Sequence, residues 1–176
     1  MQFLAQIALD GLGGPTGQAG STAAWVMAIF MCQNDPGMCD EWSPTLGGNL
    51  ALLFPRDDLQ PILLPHQDDE GTLRLGDVNT VQLVPEPAAD YGSAREAWGN
   101  RPGNDLRNVL GQLGGQAHWL QDDETPACPR CSRAMDLIAQ LEEGPDHSTA
   151  MNFGGGGAAF AFACHPCARA AFLWQC

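Results

Sequence analysis

The sequence predicts an α+β, β-rich fold in which two duplicated strand-hairpin units surround one core. Three observations point there. Met1-Gln-Phe-Leu-Ala-Gln-Ile7 aligns with Met135-Asp-Leu-Ile-Ala-Gln-Leu141, keeping Met, Ala and Gln and exchanging apolar residues for one another. Each segment is followed by a polar loop and then by an apolar run ending in cysteine, at Phe30-Met-Cys32 and Phe162-Ala-Cys164. Apolar residues form 44% of the 176, enough to bury a core at this length.

The first unit, residues 1–56, opens with a short apolar run at Met1–Ile7 suited to a buried strand. A loop from Asp10 to Gly20 separates it from a second run over Ala23–Met31, and aromatic residues return near Trp42. Residues 57–110 form a connection. Its acidic part carries Asp57, Asp58, Asp68, Asp69, Glu70, Asp77, Glu86 and Asp90 against a single arginine, Arg74. Leu73, Leu75, Val78, Val81, Leu83 and Val84 make this a strand-bearing connection rather than a disordered linker. Residues 93–112 read as helical, broken at Asn100-Arg-Pro-Gly103. Asn104 or Asp105 suits the N-cap of a helix through Leu106, Val109 and Leu110, which Gly114-Gly115 would stop. The second unit, residues 111–176, repeats the pattern with strands at Met135–Leu141 and Ala158–Ala163, then Phe172-Leu-Trp174.

Cysteine spacing carries the strongest chemical signal. The seven cysteines lie at 32, 39, 128, 131, 164, 167 and 176. Cys128-Pro-Arg-Cys131 and Cys164-His-Pro-Cys167 each place two thiolates on one tight turn. Two such turns supply the four soft ligands of a tetrahedral zinc. Pro129 and Pro166 fit inside the turns because proline fixes φ and needs no donor. A four-thiolate shell is closed, so the expected cofactor is a structural Zn2+. A disulfide framework fits poorly with an odd cysteine count and no secretory signal. A redox switch through the cysteine pairs is the competing chemistry. Cys32 and Cys39 span a turn-rich stretch, and two readings stay open for them: an incomplete second metal site, or two partly buried thiols.

Charge narrows the function classes. Acidic residues number 21 against 8 basic ones, all arginine, giving a net charge of −13. Nucleic-acid binding depends on neutralising phosphates, so this balance argues against it. The lack of lysine removes Schiff-base chemistry and a P-loop. The longest apolar run, Ala23–Cys32, is about half of the ~20 residues a membrane helix needs. No basic region precedes an apolar stretch at the N-terminus, which predicts a cytoplasmic protein without a membrane partner. An acidic surface steers basic partners. Asp57, Asp58, Asp68, Asp69 and Glu70 are the candidate contacts for a basic protein client.

Other motifs resemble catalytic sites only loosely. Asp68-Asp69-Glu70 and Asp122-Asp123-Glu124 sit in loop-like surroundings, where adjacent acids point apart. Gly154–Gly157 has no lysine and no following helix, so it reads as a tight turn or a close backbone approach. His118 and His165 read as packed or surface histidines. An acidic pocket using His66, Asp68 and Asp69 is the alternative enzymatic reading.

Several stretches together resemble one family. They are Leu113-Gly-Gly-Gln-Ala-His-Trp-Leu-Gln121, the Cys128–Cys131 pair, Met135–Gln140, Phe153-Gly-Gly and Phe172-Leu-Trp-Gln-Cys176. In that order they resemble the YwqG-like proteins, a bacterial family similar to the eukaryotic programmed-cell-death-two and Tsr-four ribosomal-protein chaperones. The resemblance is specific over residues 111–176. It implies a duplicated β-rich domain with a pseudo-two-fold core and a protein-binding role, chaperone-like or as an immunity protein against a toxin. It transfers no catalytic residues. The departure lies before Met1, where a second cysteine knuckle would stand if the first unit matched the second. Cys32 and Cys39 then read as half of a site, in a shortened or altered first unit. The expectation from the sequence is a non-enzymatic, zinc-stabilised protein-binding module.

Overall fold

The structure, a computed structural model, describes residues 1–10, 12, 24–33, 37–61, 80–147 and 149–176. Strands β1 (Gln2–Ala8), β2 (Trp25–Met31) and β3 (Asn49–Pro55) form a three-stranded antiparallel sheet in that order. A single α-helix among the described residues, α1 (Tyr91–Gly99), follows. Strands β4 (Gly111–Leu113), β5 (Asp136–Glu142), β6 (Ala158–Cys164) and β7 (Arg169–Gln175) make a four-stranded antiparallel sheet. The fold is β-rich.

Period-two alternation decides what each strand buries. Met27, Ile29 and Met31 of β2 point into one core with Ala159, Ala161 and Ala163 of β6. Long side chains of one sheet thus share a core with alanines of the other, a size complementarity that suits close packing. Each sheet carries a bulge in its first long strand, between Phe3 and Ala5 in β1 and between Leu137 and Ala139 in β5. Leu4 and Ala5, like Ile138 and Ala139, consequently pack against the same core although they are neighbours in sequence. The two bulges fall at the same positions, third to fifth, of the similar segments Met1–Ile7 and Met135–Leu141. Phe3 pairs with Phe30 beyond one bulge, and Leu137 pairs with Phe162 beyond the other.

Several expectations are corrected here. The first sheet is completed by β3, a strand the sequence reading did not name; Trp42 lies in a turn, and its carbonyl accepts the Trp174 N–H at 3.3 Å. The helix begins at Tyr91 because Asp90, in extended conformation, caps it through the Ser93 N–H. Beyond the break, Asp105 does act as a cap, but only for a single 3-10 turn over Leu106–Asn108. The chain then becomes β4 because Gly111, at φ 129°, brings its backbone against the Gln140 carbonyl with no room for a Cβ. Residues 80–88 form no strand, and Val81, Leu83 and Val84 are exposed. Leu73, Leu75 and Val78 lie outside the described residues.

The alanines of β6 yield the first prediction. Ala161 is fully buried between the sheets, so Ala161→Leu should overpack the core and cost about 1–3 kcal/mol. Urea unfolding checks this, with a lowered midpoint and an unchanged slope expected.

Candidate metal centre

Each C-x2-C pair sits where a strand meets a tight turn. Ahead of β5, Ala127 and Ala134 form an isolated bridge. Within it, Cys128 N–H donates to the Arg133 carbonyl and Ser132 N–H to the Cys128 carbonyl, both at 2.8 Å. Cys164 ends β6, and His165–Cys167 make a 3-10 turn into β7. Ser132 and Ala168 follow the second cysteine of each pair, and both adopt left-handed backbone, at φ 58° and 49°. A non-glycine residue there costs on the order of 1–2 kcal/mol.

These turns bring the four thiols together. The Sγ atoms of Cys128, Cys131, Cys164 and Cys167 all lie within 4.8 Å of one another, with Cys131 and Cys164 3.7 Å apart. Sulfurs bonded tetrahedrally at about 2.3 Å from one metal ion stand about 3.8 Å apart. Four soft donors at this spacing can hold a metal ion. Cys128 and Cys164 are buried, while Cys131 and Cys167 are half-buried.

The surroundings tune the donors unequally. The Arg133 backbone N–H, then its guanidinium, pull the Cys131 thiol down to about 6. Burial is the largest influence on Cys128, yet the Arg130 and Cys131 N–H groups bring its net shift downward. Burial, with the neighbouring thiols, pushes Cys164 up and Cys167 up to about 12. The first pair therefore favours thiolate, and the second gives up its protons to an incoming ion. Arg133 supplies the positive charge beside the cluster. His165 is not part of the four-donor cluster.

A cover closes over the cluster. The outer face of β6 presents Phe160 and Phe162 to a second apolar group containing Cys128, Met135, Cys164 and Leu173. Trp119 lies on it, its ring centroid 4.3 Å from Phe160 and 5.9 Å from Phe162. Two buried glutamines pin this cover. Gln140 Oε1 accepts the His118 N–H at 2.9 Å, and Gln175 Oε1 accepts those of Leu120 and Gln121 at 3.2 and 3.0 Å. Sequence reasoning gave these glutamines no role. A polar residue in an otherwise apolar strand was the available signal.

The remaining candidates are placed as follows. Cys32 and Cys39 approach to 3.1 Å, and among the described residues no third ligand joins them in a metal cluster. Asp57 and Asp58 are exposed on a 3-10 turn directly after β3. His66, Asp68, Asp69 and Glu70 lie outside the described residues. Asp122–Glu124 make a turn: Asp123 accepts from the Thr125 N–H and hydroxyl, while the Asp122 carbonyl and the Glu124 carboxylate accept from Gln175. The glycine loop is a turn, as its composition suggests, and it also wraps a carboxylate of its own chain. Phe153, Gly155 and Gly156 donate backbone N–H groups to Glu143 at 2.6, 2.9 and 3.0 Å.

One half-open cavity of about 340 Å³ lies between α1 and the second sheet, lined in part by Tyr91, Arg95, His118 and Glu142. Tyr91 donates to Glu142 at 2.6 Å and Arg95 pairs with it at 3.1 Å. Burial, reinforced by that carboxylate, pushes the Tyr91 phenol well above its usual range. These contacts fasten the helix to β5.

No protein-family profile matches the chain, and no solved structure matches it. The chain is similar to the uncharacterized protein YpfL of Salmonella typhimurium, at 32% identity over 74 residues. That stretch is 40% of this chain and only 16% of YpfL.

Two predictions follow from the cluster. Metal uptake should displace protons from Cys164 and Cys167, so affinity should fall as pH falls; calorimetry in buffers of different ionisation enthalpy measures the release. Cys131→Ser should loosen β5, β6 and β7 before the first sheet, while Cys39→Ser should be tolerated. Hydrogen exchange distinguishes them, and equal loss of protection in both sheets from Cys131→Ser would count against the cluster as a local clasp.

Proposed function

We propose that Cys128, Cys131, Cys164 and Cys167 hold a structural zinc ion in a non-enzymatic protein-binding module. The client is a basic protein, and the module acts as a chaperone or as a toxin-neutralising partner. The four-thiolate cluster carries this reading. Four cysteines complete a tetrahedral shell and leave no position for water or substrate, so such an ion supports structure rather than catalysis. Soft thiolates favour zinc over hard cations.

Charge supports the choice of client. Arg56, Arg95, Arg101 and Arg107 pair with acids of the same chain, which leaves the net charge of −13 to be expressed by the other carboxylates. Asp57 and Asp58 stand exposed beside β3. Among the described residues β1 is an edge of its sheet, and a sheet edge can take an added strand. Among the described residues no helix is long and apolar enough to cross a membrane.

In this proposal the two sheets are copies of one ancestral unit, in keeping with the YwqG-like resemblance. The equivalent bulges support this, as does the common register in which Phe30 and Phe162 oppose Phe3 and Leu137.

Elemental analysis of protein purified without chelator should give one zinc per chain. A partner captured at low salt and released at high salt should be basic; turnover of a substrate without any partner would contradict the module. Converting Asp57, Asp58, Asp68 and Asp69 to Asn and Glu70 to Gln together should slow association more than it speeds dissociation. Stopped-flow rates at low and high salt measure this, and an unchanged association rate at low salt removes the steering.

A further inference from the structure

We infer that Cys32 and Cys39 are a thiol-oxidation site, a dithiol poised to close as an intramolecular disulfide when it meets a small disulfide oxidant. Their separation distinguishes them from the metal cluster. Sulfurs sharing one tetrahedral ion stand about 3.8 Å apart, as Cys131 and Cys164 nearly do at 3.7 Å. Cys32 and Cys39 stand at 3.1 Å, inside that edge.

The backbone holds this approach in place. Cys32, just past β2, donates its N–H to the Gly48 carbonyl at 2.8 Å. Gly48 also packs so tightly on the backbone of Cys39 and Glu41 that a Cβ there would collide with the Cys39 carbonyl. One residue therefore fixes both cysteines. Glu41 is fully buried; its carboxylate accepts the Cys39 N–H at 3.0 Å and also the Gly37 N–H. Asn49 locks the same turn by donating to the Glu41 and Ser43 carbonyls at 2.7 and 2.9 Å. Asp40, the residue after Cys39, is left-handed at φ 55°, as Ser132 and Ala168 are after Cys131 and Cys167. The Cys39 turn thus ends as the metal-cluster turns do, with its thiol beside that of a strand-end cysteine.

The chemistry balances with a small disulfide such as oxidised glutathione. One cysteine thiolate attacks a sulfur of the oxidant, breaking its S–S bond and releasing one glutathione thiolate. The second cysteine then attacks the mixed disulfide, forming the Cys32–Cys39 bond and releasing the second glutathione. Two electrons pass to the oxidant, which leaves as two thiols carrying the two protons the cysteines lose. Both cysteines are only half-buried, so a small oxidant can reach them.

The test is oxidation of the full metal-loaded chain with oxidised glutathione, followed by alkylation, non-reducing peptide mapping and metal analysis. The expected product is lighter by two hydrogens, with a single linked peptide pair joining Cys32 to Cys39 and the metal content unchanged. Dithiothreitol should reverse it. Cys39→Ser should instead accumulate glutathione on Cys32, the trapped first step. Independent alkylation of Cys32 and Cys39 after oxidation overturns the inference, and so does glutathione on each of them in the wild-type chain. So does a second equivalent of metal lost in Cys39→Ser. Linkage among Cys128, Cys131, Cys164 and Cys167 would count against the metal cluster instead, leaving the Cys32–Cys39 result to be read separately.

Discussion

Strand β6 is apolar on both faces, and much of the molecule answers to that. All seven of its residues are buried. Its alanines meet the first sheet, and its phenylalanines need a cover on the other side. Burying a phenylalanine is worth roughly 1.5–3 kcal/mol, but only if some element pays the entropy of lying over it. The cysteine turns and the Trp119 segment are that element. They have little regular secondary structure of their own, so their order comes from anchors: the buried amides of Gln140 and Gln175, the aromatic contacts of Trp119, and the thiol cluster.

The first sheet shows the same strand pattern without such a cover among the described residues. Its outer row, Phe3–Phe30–Leu50, follows from the register, and Phe3 and Leu50 remain 43% and 42% exposed. The counterpart row, Leu137–Phe162–Ala171, lies under the cysteine turns, where Phe162 is buried. Gln6 makes the same point. Its aligned partner Gln140 is buried and engaged with the cover, whereas Gln6 is exposed. A side chain's burial is set by what lies above its strand, not by the strand pattern alone.

That distinction explains what was legible beforehand. Four strands, β1, β2, β5 and β6, were readable because apolar alternation records a buried face directly. The cysteine cluster was readable because two thiols on one turn are a local feature, and only their meeting is tertiary. The third strand of the first sheet was not anticipated, because Asn49–Pro55 carries its signal in plain aliphatic residues. The second helix failed for a local reason: Gly111 permits a φ that the opposing Gln140 carbonyl demands. The roles of Glu143, Gln140 and Gln175 are invisible without coordinates, since each depends on a loop distant in sequence. For Asp68, Asp69 and Glu70, composition remains the only ground.

The position of the proposed zinc decides how its loss would spread. A structural zinc supplies apparent free energies of ~10–16 kcal/mol at neutral pH, comparable with the ~5–15 kcal/mol that holds a whole domain together. Its ligands bracket β5 and β6, and those strands bury their inner faces independently of the metal. Losing such an ion would first expose the outer face, freeing Trp119 from Phe160 and Phe162, while Met27, Ile29 and Met31 stay in one core with the alanines of β6. Register then becomes the weak point. A one-residue slip of β6 would send its phenylalanines into a core shaped for alanine. The size contrast between the two faces resists that slip even without the clasp. The proposed ion would therefore act chiefly on the cover, while the core shared by the two sheets and the close approach of β3 to β7 hold them together.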